Sequence, residues 1–137
     1  MKLNELKQNV SVEQAGVWLD YGGGLEVKLC RMPNTRFSEM LQECLAGAVS
    51  RKRRGSIDKA ILNKTEDAQR QAFARHVLVD WSGLQDEDGN AVPYSEGKAL
   101  EIISDPAYHD FYEDLLDMAR DRSNFEEGVE EEAQENL

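Results

Sequence analysis

Residues 80–103, DWSGLQDEDGNAVPYSEGKALEII, separate two halves of the sequence and set how those halves meet. The stretch begins where an apolar helical pattern stops, places Trp81 beside a turn-rich loop, and ends inside a new helix opened by Ser95. Trp81, Leu84, Val92 and Tyr94 bring apolar bulk to a segment otherwise mostly small or acidic. The loop is therefore expected to fold back onto the protein through them, as a clasp between two helical halves. Asp86, Asp88 and Gly89 invite a calcium reading, but with Gly89 at the sixth position of an EF-hand loop, Leu84 and Ser95 fall at the first and twelfth. Carboxylates are required at both, so the motif fails and Asp88-Gly89-Asn90 reads as a turn.

Upstream of the clasp, Asn63 with Glu66 three positions on forms a capping box that opens a helix through Ala68, Ala72, Phe73, His76 and Val77 toward Val79 and Trp81. His76 is a lone histidine beside an apolar face, without the three or four ligands a zinc site needs. Downstream, Ser95 caps a short helix through Ala99, Leu100, Ile102 and Ile103. Asp105-Pro106 is a start signal for the last helix, a capping carboxylate followed by proline at the first helical position. Its apolar residues, Tyr108, Phe111, Tyr112, Leu115, Leu116 and Ala119, follow the helical period and are expected to be buried. Asp110, Glu113, Asp114, Asp117 and Asp121 line the opposite side, where carboxylates solvate a helix; acid-base catalysis would need a pocket to shift their pKa.

Toward the N-terminus, residues 16–32 read GVWLDYGGGLEVKLCRM, two strand-like runs around Gly22, Gly23 and Gly24. Leu25, Val27 and Leu29 alternate with Glu26, Lys28 and Cys30, a period of two that buries one face and predicts a β-hairpin. The glycines do not suit a phosphate loop, because no Lys-Ser/Thr pair follows and the next element is a strand. After Pro33, Asn34 or Thr35 caps a helix with Phe37, Met40, Leu41, Cys44, Leu45, Ala48 and Val49 along one side. That stripe is either core or a face that grips a partner helix. Arg51, Lys52, Arg53 and Arg54 follow, more cations than a helix C-terminus requires. They fit a solvated loop, or pairing with an acidic segment of another copy or a partner; without interleaved aromatics they are a poor nucleic-acid patch.

The net charge of −11 is unevenly spread. Residues 1–79 carry 13 Lys+Arg against 9 Asp+Glu, and residues 80–137 carry 3 against 18. This polarity suits contact between copies or with a charged partner, and phosphate repulsion by the acidic half makes nucleic acid an unlikely ligand. Cys30 and Cys44 read as free buried thiols. No run is long enough for a membrane helix, and the first residues lack the apolar stretch of a signal peptide, so a cytoplasmic location is expected.

These readings combine into an α+β, mostly α-helical chain: a β-hairpin at about 16–32, then helices at about 35–50, 65–80, 95–104 and 106–122. One domain would span 1–122. The last stretch, SNFEEGVEEEAQENL, has six glutamates and is expected to be a flexible acidic tail over 123–137.

The order of these features resembles the tail assembly chaperones of long-tailed bacteriophages and prophages. The resemblance rests on the glycine-turn hairpin, the amphipathic helix, Trp81-Ser82-Gly83-Leu84, Asp88-Gly89-Asn90, Pro93-Tyr94-Ser95, the Ala99-Leu100 helix, the aspartate-proline start, and the acidic terminus after Phe125. It implies a protein that binds the long helical tape measure protein before tail tube subunits polymerise around it. A structural tail or neck protein of the virion is the alternative. Expected roles are then a binding surface drawn from Phe37, Met40, Leu41, Arg51, Lys52, Arg53, Arg54 and Trp81, self-association, no metal or cofactor, and no enzymatic activity. Every nucleophile, metal or phosphate-loop reading tested above fails on spacing or context.

Overall fold

The computed structural model describes residues 1–8, 10–49 and 59–126. Within them the chain is α+β. A 3-10 turn at Leu3–Leu6 leads to α1 (Val10–Ala15), β1 (Val17–Gly22), β2 (Leu25–Leu29), α2 (Thr35–Val49), α3 (Lys59–His76), β3 (Leu78–Ser82), α4 (Glu96–Ser104) and α5 (His109–Arg120).

The three strands form one antiparallel sheet in the order β1-β2-β3. The hairpin is as its alternation predicts, with Val27 and Leu29 fully buried and Glu26 exposed. Leu19, Val27 and Trp81 form one row across the sheet, and Trp18, Lys28 and Asp80 the next, on the other face. The core lies on the Val27 side, where Leu29, Phe73, Val77, Leu78, Ala99, Ile103, Tyr112, Leu115, Leu116 and Ala119 cluster with the row residues.

The third strand replaces the end of the helix expected at 65–80. Ala74, Val77, Leu78 and Trp81 repeat at i, i+3, i+4 and i+7, which reads as an α-helix. The helix stops at His76 because its terminal carbonyls are taken from outside: His76 O accepts from Asn34 Nδ2 (3.1 Å), and Val77 O accepts from Cys30 N (2.8 Å). The β-branched and aromatic run that follows then pairs with β2, and the register shifts between Lys28 and Leu29. That irregularity brings Leu78 and Trp81 both to the buried side although they are three residues apart. At its other end α3 begins at Lys59, so Asn63 is an interior helical residue instead of a cap.

The clasp closes as expected. Trp81 Nε1 donates to Val92 O (2.8 Å), and the Trp81 and Tyr94 rings meet edge to face at 4.9 Å. Tyr94 Oη donates to Leu78 O (2.9 Å). At the loop tip the Asp86 carboxylate accepts from the amides of Asp88 and Asn90, and Gly89 takes a φ of +83°, so this is a turn held by one aspartate. Ser95 Oγ accepts from Lys98 N (3.0 Å) to cap α4, and Asp105 Oδ1 accepts from Ala107 N (2.9 Å).

Two other expectations change. Pro106–Tyr108 is a separate 3-10 turn before α5, which leaves Tyr108 half exposed. The acidic tail does not begin at Ser123, since residues 123–126 make a helical turn that buries Phe125 to 2% exposure, and Asn124 Nδ2 donates to Met118 O (2.9 Å). One aromatic ring is enough to anchor this turn despite the surrounding charge. The remaining glutamates, from Glu127 on, lie outside the described residues.

Tyr21 ties the hairpin to α5: its hydroxyl donates to Asp114 Oδ2 (2.6 Å) and its ring meets Phe111 edge to face at 5.0 Å. The bond to the Asp114 carboxylate, with burial adding to it, pushes the Tyr21 pKa up to about 12, and burial pushes Tyr112 up to about 12. A phenol whose folded pKa exceeds its unfolded value of 10.0 contributes stability that is intact below that pH and lost as pH rises through about 12. Stability should therefore fall between about pH 10 and 12, and Tyr21→Phe should flatten that fall in urea titrations followed by circular dichroism. An unchanged slope would contradict the assignment.

Candidate protein-binding arm

Asn34 builds the base of a helical hairpin. Its Oδ1 accepts from Phe37 N (2.8 Å), capping α2, while its Nδ2 donates to Arg31 O (3.0 Å) and His76 O. The start of α2 is thus fastened to the end of α3, so the two helices pack antiparallel; α3 also packs on α4 and β3. At about 1.5 Å per residue, the 18-residue α3 extends about 27 Å.

Burial falls along this arm. On α3 the buried residues are Ala68, Ala72, Phe73 and Ala74, none of them in its first half. Phe73 is fully buried, whereas Leu62, eleven residues earlier and so on nearly the same side of the helix, is 51% exposed. On α2, Phe37 is buried while Leu41, Cys44 and Leu45, on the same side by their spacing, are only half-buried. The apolar stripe of the hairpin therefore continues past the end of the core, with Cys44, Leu45 and Ile61 half-buried and Leu62 exposed.

This geometry sorts the residues proposed from sequence. Phe37 and Trp81 are interior, at 4% and 6% exposure, and offer no surface to a partner. Met40 and Leu41 pack against the core from the root of the arm and stay partly open. Arg51, Lys52, Arg53 and Arg54 lie outside the described residues. Leu62 was not singled out in the sequence, because the Asn63 capping signal placed it before the helix.

A cleft of about 70 Å³ at the arm's base is lined by Cys30, Asn34, Arg36, Arg75 and His76 among others. The Cys30 thiol donates to Gln14 O (3.2 Å), and burial raises its pKa; burial lowers that of His76, with Arg75 and Arg36 adding to the effect. Both shifts favour the uncharged forms, a thiol and a neutral imidazole. The Asp110, Glu113, Asp114 and Asp117 face of α5 is exposed. Among the described residues no group of three or more histidine, cysteine or carboxylate side chains could hold a metal ion, and no helix is long and apolar enough to cross a membrane.

A family described as YdaY prophage protein matches residues 32–136, well over half of the chain. The match takes in α2 to α5 and the clasp, and leaves β1 and β2 outside. No curated protein and no solved structure matches.

Proposed function

The chain belongs to the YdaY prophage protein family, and from that premise we propose that it is a non-enzymatic assembly chaperone for phage tails. In this reading it holds a helical segment of a tail protein, the tape measure protein by the resemblance described above, along the open stripe of the α2–α3 arm. The observation that carries the reading is the rise in exposure from Phe73 to Leu62 on one side of α3. Two antiparallel helices leave an apolar groove, and a third amphipathic helix fills such a groove with residues at i, i+3, i+4 and i+7. The acidic second half of the chain keeps such a complex soluble.

Two experiments test this. Tagged protein expressed in cells with an induced prophage should co-purify with a long helical tail protein, and recovery of the chain alone would count against it. Mass spectrometry of finished particles should find the chain absent; stoichiometric presence would make it a structural tail or neck protein.

A further inference from the structure

We propose that β1 is a homodimerisation edge: Val17–Gly22 pairs antiparallel with β1 of a second copy, about a two-fold axis at Leu19. This inference is independent of the arm. β1 lies at the border of the sheet, hydrogen-bonded to β2, and no other described segment bonds to its backbone. Edge strands left unpaired usually carry lysine, proline or a mid-strand bulge. β1 has neither of those residues, and its irregularity falls between Asp20 and Gly22, at the turn.

The open face beside this edge is self-complementary. Trp18 is 46% exposed there, with the Lys28 ammonium 6.0 Å from its ring. Two rows reach the edge on this face: Asp80, Lys28 and Trp18 in one, Ser82, Glu26 and Asp20 in the other. Pairing about Leu19 sets Trp18 against Asp20 of the second copy, so the row holding Lys28 runs into the acidic row, twice by symmetry. The two tryptophans become diagonal neighbours, about 7–8 Å apart at their Cβ atoms or less, within reach of their rings. A register centred on Asp20 would oppose two carboxylates, and one centred on Trp18 would leave the acidic rows without a cationic counterpart. The second copy is therefore the occupant whose charges this edge fits.

Six residues of edge make a small interface, so the dimer should be weak and reversible. Sedimentation velocity across a dilution series should show a monomer–dimer equilibrium, with the β1 amides exchanging hydrogen more slowly at high concentration. Trp18→Lys should raise the dissociation constant by roughly tenfold or more without lowering the melting temperature, since Trp18 is a surface residue; Lys28→Glu should weaken the dimer by removing the cation from the row that meets Asp20 and Glu26 of the second copy. A chain that stays monomeric throughout overturns the proposal, even if β1 binds a strand from another protein. A dimer whose β1 amides gain no protection, or one that survives Trp18→Lys, overturns it equally.

Discussion

Replacing Trp81 by alanine should cost about 3–5 kcal/mol, the range for removing a large aromatic side chain from a core. Trp81 is 6% exposed, shares a sheet row with Val27 and Leu19, and packs edge to face on Tyr94. Its loss would leave a cavity under the clasp and strip the Val92 carbonyl of its donor. Domains of this size are stable by about 5–15 kcal/mol, so the variant would lose a large fraction of its margin. Urea unfolding monitored by circular dichroism measures this. A change within about 0.5 kcal/mol, typical of surface positions, would mean that Trp81 is the surface-binding residue suggested by sequence alone.

Gly83→Ala should be nearly as damaging for a different reason. Gly83 sits just past β3 with φ of +85°, and a methyl group there would run into the carbonyl oxygen of Gly24 in the hairpin turn. The left-handed backbone alone costs an alanine roughly 1 kcal/mol, and the clash is with backbone, which cannot swing aside. The hairpin turn and the start of the clasp must then separate, with a loss of several kcal/mol in total. Gly23→Ala is the control: its φ is +63° but its surroundings are open, so only the roughly 1 kcal/mol conformational cost applies. Equal melting temperatures for the two variants would show that the hairpin and clasp do not abut.

Both predictions concern contacts that the sequence only partly discloses. The hairpin, the α4 cap at Ser95, the Asp105 cap, which opens a 3-10 turn before α5, and the return of Trp81 onto Val92 and Tyr94 follow from local rules: alternation, capping and turn chemistry. The misread elements depend on partners far along the chain. β3 was concealed because the register shift opposite Lys28 and Leu29 gives a strand the three-residue burial spacing of a helix. The end of α3 is set by Asn34 and Cys30, more than forty residues away. Phe125 stands among glutamates in the sequence, yet it is 2% exposed, and its burial comes from the fold instead of its neighbours in the chain.

The binding stripe shows the same division. Periodicity identified the apolar side of α2, but how far the core extends beneath it is a tertiary property. Phe37 is sealed and Leu45 is not, although both occupy the same side of one helix. Leu62 emerges only once α3 is seen to begin at Lys59.

The most direct test is a binding titration of the purified chain and its Leu62→Glu variant against a helical region of the tape measure protein of a prophage that encodes this protein. Leu62 is half exposed, so covering the remainder is worth on the order of 1 kcal/mol, and a charge there adds a desolvation cost. The account predicts binding by the unaltered chain, and a loss of roughly tenfold or more in the variant at an unchanged melting temperature. Equal affinity for the two proteins, or no binding by either, would contradict it.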